Sequence, residues 1–488
     1  MNIAGHFNSA SGRIHPLLRP ADTCWQIPGA GRVGFVVDGA AYFRAAKAAM
    51  KKARESIFLM AWDFHAKTRL EPDKPESGPD EIGAFLNHLA AENPRLRIRV
   101  LKWGMPLMMA LPLPRIPLPI LQQFNHERVE YRIDRQHPTG ASHHQKILVV
   151  DDSVAFCGGA DFCVDRWDTS DHRDHNRWRN KFPARHDVMI VVDGGAARAL
   201  GALARKRWQT ATGERLEPTR VESDPWPDCV QGKTGPIGIG VARTLPRLNG
   251  TREIREIERL CLEMIRRAKR SLYIETQYFA SPTICEALIH RLREPAGPDI
   301  VLLCSARAPS YFDHLAMDPV RNALLGRLRA ADRYGRFRAF SPVTAGGAPI
   351  IIHSKVVIVD DTALRIGSSN MNNRSMGFDS ECDICISTDD PAQAPRATEI
   401  IQGFRYRLLA EHLATKPEIV AAEETRTGSL IQTIESRNPE TGRHLAAVDE
   451  TKVSILDNLF ISLQLLDPLS RDDSWRPWRR ARAVSCSS

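Results

Sequence analysis

The chain of 488 residues is 43% hydrophobic and 26% charged, so it can bury two or three domain cores and has the composition of a globular protein. Its formal net charge of +9 favours anionic partners, such as a phospholipid surface, nucleic acid or a phosphorylated small molecule, without choosing among them. Residues 1–18 have neither a basic start nor an apolar core, so an ordinary signal peptide is not expected.

In the first half, the spacing of apolar residues predicts alternating helices and strands. The run at 105–120 is the most apolar of the chain, but Arg115 and five prolines make it too interrupted to span a bilayer. We expect an extended connector there, and an apolar edge that dips into a membrane surface is the alternative. The other predicted elements are a helix at 40–55, a buried strand at 56–63, a helix at 82–91 and a strand at 96–103.

The second half repeats this order after a Pro- and Gly-containing linker at 217–240. We therefore expect an α/β fold of two similar lobes, each a mostly parallel or mixed β-sheet flanked by helices, with a pseudo-two-fold axis and the active site between them. The elements are a helix at 252–270, a strand at 271–279, a helix at 281–292 and a strand at 300–305. The predicted domains are 1–225, 226–415 and a carboxyl-terminal extension at 416–488, which ends in an Arg- and Trp-rich stretch at 471–482.

The ten cysteines are scattered, and several lie in predicted strands or helices. The C-x-x-C spacing from Cys382 to Cys385 has no second pair to complete four ligands, which disfavours a zinc site. We expect reduced, buried thiols, with a disulfide framework as the alternative.

Two stretches of the chain are nearly alike, and each joins a His-x-Lys pair to an apolar run and an Asp. The first is HQKILVVD at 144–151, and the second is HSKVVIVD at 353–360. Seven residues after its Asp, each is followed by a glycine turn, at 158–159 and at 367–368. One such tripeptide is common by chance, but two with the same downstream pattern indicate a duplicated site. Two copies of a base and a cation suit chemistry at a phosphodiester.

Side chains alternate along a strand, so each His and its Lys are expected to point the same way. The candidate catalytic residues are His144 and Lys146 in the first motif, and His353 and Lys355 in the second.

Four further residues accompany the motifs. Asp151 and Asp360 lie an odd number of residues from the Lys, so we expect them on the opposite face, as structural anchors of the strand ends. Asp161 and Asn370 occupy equivalent positions beyond the glycine turns and are expected to return beside the lysines. Asn370 can donate to a phosphoryl oxygen, whereas an ionised Asp161 cannot.

A histidine needs an orienting partner on its second ring nitrogen to be a good base. Asp187 and Glu381 fall where the following strands should return, and we assign Asp187 to His144 and Glu381 to His353. The alternatives are Asp379 or Asp383 in the second role, and acids that only cap strand ends.

These residues predict a two-step displacement at phosphorus. One neutral histidine attacks and forms a phosphohistidine, while the other, protonated, gives its proton to the leaving alcohol and then takes one from water. Lys146 and Lys355 hold the non-bridging oxygens and neutralise developing charge. Neither a metal ion nor any other cofactor is expected.

We predict structural roles for three other histidines. His143 should point to the opposite face and be packed or capping. His172 and His175 lie in a polar, basic loop at 170–185, which we expect to be solvated surface, with a lipid-facing role as the alternative.

At these residues the chain resembles the phospholipase D superfamily, whose hallmark is a duplicated H-x-K-x-x-x-x-D motif, and within it the eukaryotic-type phospholipases D and their bacterial relatives. The resemblance covers about residues 20–415 and implies His144 as nucleophile, His353 as general acid and base, and Gln277 at the site wall. Thr276 stands where the family usually has Asn. Further matching segments are GGAD at 158–161, RWD at 166–168, IETQYF at 274–279, IGSSN at 366–370 and RS at 374–375.

The resemblance implies a metal-independent phospholipase D that yields phosphatidic acid and a free alcohol, with transphosphatidylation when an alcohol outcompetes water. We expect a monomer that acts at a phospholipid membrane surface and needs no nucleic acid. Phosphatidyl transfer, as in cardiolipin synthesis, is one alternative; a phospholipase D-like nuclease and a lipid-binding scaffold are others. Export without an ordinary signal peptide, and a cytoplasmic protein peripheral at the membrane, are both compatible with the sequence.

Overall fold

The structure, a computed structural model, describes residues 15–74, 78–104, 124, 126–179, 181–307, 311–448 and 467–468. The predicted connector at 105–120 and the arginine-rich stretch at 471–482 lie outside these residues. Within the described ranges, no helix combines the length and the apolar character needed to cross a membrane. Nine cysteines are described, all of them free, and all except Cys229 are buried.

The first half of the chain builds a mixed sheet of eight strands. They are β1 (Gly29–Val37), β2 (Ser56–Ala61), β3 (Arg97–Trp103), β4 (Val129–Asp134), β5 (Ile147–Val150), β6 (Val154–Gly158), β8 (Val188–Asp193) and β9 (Lys233–Gly238). Their order across the sheet is β4-β3-β2-β5-β6-β8-β1-β9. Strands β2, β3 and β4 are parallel neighbours, and the remaining neighbours are antiparallel.

A second mixed sheet has nine strands in the order β11-β10-β18-β17-β16-β12-β13-β14-β19. They are β10 (Gly240–Leu245), β11 (Ile254–Arg255), β12 (Ser271–Glu275), β13 (Asp299–Leu303), β14 (Phe337–Val343), β16 (Val356–Val359), β17 (Ala363–Gly367), β18 (Glu381–Ser387) and β19 (His444–Ala447). Here β12, β13 and β14 are the parallel neighbours. Two short strands, β7 (Arg185–His186) and β15 (Ile351–Ile352), pair only with each other.

The helices cover the outer faces of both sheets and fill the space between them. They are α1 (Gly39–Lys51), α2 (Ile82–Glu92), α3 (Gly194–Thr212), α4 (Glu256–Arg267), α5 (Pro282–Arg293), α6 (Tyr311–Ala331), α7 (Ala394–His412), α8 (Pro417–Thr427) and α9 (Leu430–Arg437). One apolar core joins α1 and α2 to the first sheet, and another joins α4, α5 and α6 to the second. The largest core lies between the two sheets and includes α3 and α7. Burying an apolar face on both sides of a sheet is what the continuous apolar runs of β5 and β16 require.

The mixed α/β class agrees with the expectation from the sequence. In the first sheet, β4-β3-β2-β5-β6-β8 has the same chain order as β14-β13-β12-β16-β17-β18 in the second. The pseudo-two-fold relation and the three domain boundaries stay predictions. The sequence did not predict β4 and β14, or β9, which lies inside the expected linker and pairs with β1. β9 contains two glycines and a proline, a composition that fits an edge strand but gives no strand signal.

Candidate active site

Both His-x-Lys pairs lie immediately before a central strand, not within it. β5 begins after Lys146, and β16 begins after Lys355. The backbone ahead of each strand instead bonds to the other half of the chain. The N–H of His144 donates to the carbonyl of Ser380 at 2.9 Å, and the N–H of His353 donates to the carbonyl of His186 at 2.8 Å.

Each imidazole has a carboxylate partner, and the partners are exchanged relative to our assignment. His144 Nδ1 lies 2.9 Å from Glu381 Oε1, and His353 Nδ1 lies 2.7 Å from Asp187 Oδ2. The predicted pairing of Asp187 with His144 and of Glu381 with His353 was therefore wrong. It assumed that each half completes its own site, whereas the segment that carries each histidine leaves its own sheet and lies against the other one.

The strand register explains why the same two acids are involved. Asp187 lies two residues ahead of the position opposite Gly158, and Glu381 lies two residues ahead of the position opposite Gly367. The two acids thus occupy matching positions at the start of matching strands. The rivals Asp379 and Asp383 have other partners: Asp379 binds Arg374 and the Ser142 N–H, and Asp383 binds Arg365.

The two lysines are buried beside the histidines. Lys146 Nζ donates to the His144 carbonyl at 3.0 Å and lies 3.5 Å from Asp161 Oδ2, and Lys355 Nζ donates to the His353 carbonyl. Burial lowers the pKa of Lys355 to about 7, with Lys146 acting in the same direction and Asp187 opposing it. Two buried lysines beside the two histidines make this a site that can bind an anion.

The electrostatics join the four groups into one cluster. Burial holds the pKa of His144 well below its usual value, and the charges of Lys146 and Lys355 lower it further. Burial, then Lys355, and then Arg166 have the same effect on the pKa of His353. Both imidazoles are therefore neutral near pH 7 in the free protein. Each of the two histidines therefore lies within electrostatic range of both lysines.

Glu381 has an environment that the sequence analysis missed. Its carboxylate accepts hydrogen bonds from Ser368 Oγ at 2.5 Å and from Ser375 Oγ at 2.7 Å. Burial raises its pKa to about 8, which the charge of Lys146 and the two hydroxyls oppose. Ser368 follows Gly367 at the position where Gly159 follows Gly158 in the first motif. This substitution of serine for glycine was the one sequence feature that could have indicated a hydroxyl beside Glu381.

Gly159 must be a glycine because of Asp187. A Cβ at this position would lie 2.1 Å from Asp187 Oδ1 and 2.8 Å from the His353 carbonyl oxygen. The glycine turn of the first motif therefore leaves room for the acid that binds the second histidine.

The three predicted substrate-binding residues, Asp161, Asn370 and Gln277, have different surroundings, and within the described residues only Asp161 is seen beside a motif lysine. Asp161 is buried, accepts the Trp62 N–H at 3.0 Å and faces Lys146. Asn370 is also buried, and its side-chain oxygen has no hydrogen-bond partner among the described residues. Gln277 donates to Tyr278 Oη at 3.1 Å, and no hydrogen bond to the motif residues is found for it in the described part of the chain.

The two motif aspartates anchor the starts of neighbouring strands. The Asp151 carboxylate accepts the backbone N–H groups of residues 54, 55 and 56, at the start of β2. The Asp360 carboxylate accepts those of residues 269, 270 and 271, at the start of β12. Both have a positive φ, 52° and 49°, which aspartate tolerates better than most residues.

Trp62 forms part of the wall next to His144, a position that no sequence pattern had indicated. The two rings meet edge to face with centroids 6.1 Å apart, and Lys146 Nζ lies 5.9 Å from the centroid of the indole ring. Trp103 stacks on the indole at 5.5 Å. An aromatic wall limits the approach to the exposed edge of His144, whose side chain is 15% exposed.

The prediction that the loop histidines lie on solvated surface was partly wrong. His175 is exposed as expected, but His172 is buried, with Nδ1 2.9 Å from Asp168 Oδ2 and Nε2 3.4 Å from Glu411 Oε1. A loop of alternating charges gave no sign that one histidine turns inward. His143 is fully buried, 3.3 Å from Asp134, as a packed residue should be.

Most of the chain is similar in sequence to known phospholipases D and cardiolipin synthases. The family model described as "Cardiolipin synthase, PLD-like domain" matches residues 261–405. Phospholipase D A of Dictyostelium discoideum is 23% identical over 464 residues, which are 79% of this chain and 36% of that protein. Cardiolipin synthase A of Pseudomonas entomophila is 26% identical over 381 residues, 76% of this chain and 67% of that protein.

The fold has a solved counterpart. The crystal structure of phosphatidylserine synthase from Haemophilus influenzae aligns with a TM-score of 0.51 at 14% identity and covers 82% of this chain and 95% of that one. The chain spans 36%, 30% and 50% of the length of three phospholipases D that it matches, so the likeness concerns a part of those proteins. Together with the duplicated motif, these matches support the placement of the chain in the phospholipase D superfamily.

Proposed function

We propose that the protein is a phospholipase D that cleaves the distal phosphodiester of glycerophospholipids, giving phosphatidic acid and a free alcohol. The observation that carries the proposal is the exchanged pairing of His144 with Glu381 and of His353 with Asp187, beside two buried lysines. Two imidazoles, each oriented by a carboxylate, can act as nucleophile and as acid on one phosphate.

In the first step, His144 attacks phosphorus. Glu381 accepts a hydrogen bond from the Nδ1–H of His144, which keeps the proton on Nδ1 and leaves the lone pair of Nε2 free for attack. Of the two imidazoles, His144 is the more exposed, at 15% against 5% for His353, which favours it as the nucleophile. The bond from phosphorus to the alcohol oxygen breaks as the bond from Nε2 to phosphorus forms, which leaves a phosphatidyl-histidine.

His353 protonates the departing alcohol. In the free protein burial lowers the pKa of His353, and the charges of Lys355 and Arg166 lower it further; a bound phosphodiester brings a negative charge that offsets these cations, so substrate binding favours the imidazolium. Asp187 stabilises that cation through Nδ1. The lysines hold the non-bridging oxygens and neutralise charge that develops on them.

The second step returns both histidines to their starting states. Neutral His353 takes a proton from water as the oxygen attacks phosphorus, and the bond to His144 breaks to release phosphatidic acid. A primary alcohol in place of water gives a phosphatidyl alcohol by the same proton transfers. The net charge of +9 supports a substrate at an anionic phospholipid surface, on which we propose that a monomer acts.

Phosphatidyl transfer to a lipid alcohol is the second candidate, because the matching family model and several relatives carry the names of synthases. The chemistry is the same up to the covalent intermediate. Only the acceptor of the second step differs.

The test is turnover on vesicles of phosphatidylcholine, phosphatidylethanolamine or phosphatidylglycerol, with and without butanol, beside single-stranded DNA. We expect release of phosphatidic acid, and of phosphatidylbutanol with the alcohol, by the wild type and not by His144→Ala. His175→Ala, which changes an exposed loop histidine, is the matched control and should retain activity. Cardiolipin formed from phosphatidylglycerol without phosphatidic acid would favour the transferase, and cleavage of DNA alone would contradict both lipid functions.

A further inference from the structure

A buried cluster of histidines and carboxylates lies behind the His353–Asp187 pair, and neither reaction step uses it. Four side chains point donor atoms at one another, and all four atoms lie within 4.8 Å. They come from separate parts of the chain: Asp38 ahead of α1, His172 in the loop before β7, His186 in β7 and Glu411 in α7. Their side chains are between 0% and 7% exposed. Charges buried so deeply need a partner.

Most of the separations between the donor atoms are close to those of a tetrahedral metal site. Glu411 Oε1 lies 2.7 Å from His186 Nδ1 and 3.4 Å from His172 Nε2. Asp38 Oδ1 lies 3.3 Å from His186 Nδ1, and Asp38 Oδ2 lies 3.8 Å from His172 Nε2. With metal–ligand distances of about 2.1 Å, neighbouring donors of a tetrahedron are about 3.4 Å apart. Three of the separations, 3.3, 3.4 and 3.8 Å, lie near this value, whereas the 2.7 Å pair is at hydrogen-bond distance and would have to lengthen around an ion.

The outer nitrogens of the two histidines are held as they are in metal sites. His172 Nδ1 lies 2.9 Å from Asp168 Oδ2, and His186 Nε2 lies 3.2 Å from Glu275 Oε2. A carboxylate on the second nitrogen fixes the tautomer and makes the inner nitrogen a better ligand. Metal binding would release the proton that His186 Nδ1 donates to Glu411 Oε1 in the absence of an ion.

One donor has no hydrogen bond at all within the described structure. Asp38 Oδ2 is buried, no described residue donates to it, and the residue is 2% exposed. A buried carboxylate oxygen without a donor is costly, and a bound cation would satisfy it.

We propose that Asp38, His172, His186 and Glu411 bind one divalent transition-metal ion of the zinc type as a structural site. Two imidazole nitrogens and two carboxylate oxygens suit zinc better than calcium or magnesium, which prefer oxygen ligands. The two carboxylates balance the charge of the ion, so the four ligands and the metal are neutral together.

The ion would brace the second catalytic pair. Asp38 Oδ1 accepts the Asp187 N–H at 3.3 Å, and the His186 carbonyl accepts the His353 N–H at 2.8 Å. Through these bonds the site fixes the backbone of both members of that pair and connects it to α7. It contacts no reacting atom, so it serves as a positioning element.

The alternative is a cluster in which the two imidazoles are protonated and two protons replace the metal ion. The experiment is metal analysis of the purified full chain by inductively coupled plasma mass spectrometry, followed by removal of metal and titration with Co²⁺. We expect close to one divalent ion per chain, the visible absorption of tetrahedral Co²⁺, and a higher Tm with metal than without. A wild type that contains no metal and gives no such absorption overturns the proposal.

His172→Gln should lose the ion and the cobalt absorption, whereas the matched variant His143→Gln, at a buried histidine outside the cluster, should keep both. Retention of the cobalt spectrum by His172→Gln would refute the ligand set. If that variant does not fold, the cobalt titration of the wild type decides alone. Exchange of zinc for cobalt should leave kcat unchanged, and an inactive but metal-loaded wild type would count against the proposed function and not against the site.

Discussion

Asp187 Oδ2 lies 2.7 Å from Nδ1 of His353, a residue 166 positions later in the chain. The reciprocal pair, His144 with Glu381, spans 237 positions. Each motif histidine therefore takes its carboxylate partner from the other half of the chain. The two motifs depend on each other for orientation as well as for their separate roles in the reaction.

The exchange predicts that the two acids affect different steps. Asp187→Asn should lower kcat about 100-fold or more on a choline ester, because His353 then lacks the anion that stabilises its protonated form. On an ester with a good leaving group, such as p-nitrophenol, the first burst of phenol release should be impaired much less, whereas steady-state kcat should still fall because His353 also activates the attacking water. Glu381→Gln should impair both substrates alike, because it weakens the attack by His144. Asp379→Asn, at the neighbouring acid, is the control; the opposite dependence on leaving group would contradict the assignment.

Removal of the second histidine should trap the covalent intermediate. His353→Asn lacks the base that activates water, so a substrate with a good leaving group should give a stable, acid-labile phosphoenzyme. The measurement is retention of label from a phosphate-labelled lipid after rapid quenching, with His144→Ala as the control that should bind none. Label retained by His144→Ala would mean that another residue is the nucleophile.

Each lysine should be needed for its charge. Lys146→Met and Lys355→Met keep most of the side-chain volume but remove the ammonium group, so kcat should fall at least about 100-fold. Arginine at either position should restore little, because both side chains are buried and the larger guanidinium does not fit. Near wild-type kcat in either Met variant would contradict the proposed binding of the phosphoryl oxygens.

The motif aspartates should contribute to stability more than to turnover. Asp151→Gly and Asp360→Gly each remove three hydrogen bonds to backbone N–H groups without straining the positive φ, so the free energy of unfolding should fall by about 2 to 4 kcal/mol. The kcat of the folded protein should change little. Asn249→Gly, at an exposed residue with φ 47°, is the matched control for denaturant unfolding. A selective loss of kcat would indicate a role in the chemistry.

Glu381 should make stability depend on pH. Its pKa of about 8 in the folded protein lies above its ordinary value of 4.5, so the folded state binds the proton more tightly than the unfolded state. This contribution is fully present below pH 4.5 and is lost as the pH rises towards 8. The difference in unfolding free energy between wild type and Glu381→Gln should therefore decrease from pH 5 to pH 8. Glu440→Gln, at an exposed residue, should show no such trend.

The sequence by itself determined the family, the α/β class and the catalytic histidines and lysines proposed here. These follow from local patterns: the duplicated H-x-K motif, the apolar runs of β5 and β16, and the helical spacing of apolar residues in α1 and α4. The expected helix at 82–91 became α2 almost unchanged for the same reason. Such patterns can be recognised in the sequence because each depends only on residues that are close together in the chain.

Only the tertiary structure decided which acid serves which histidine, and that His172 turns inward to Asp168 and Glu411. In each case the partners are distant in the chain, and their approach depends on how two sheets pack. Asp187 and Glu381 do pair with the motif histidines, but in exchanged order, because the strand that follows a motif stays in its own sheet while the segment with the histidine leaves it. The sequence pattern indicates which strands follow one another. It does not indicate that the backbone of His144 and His353, just ahead of β5 and β16, bonds to the other sheet's half of the chain.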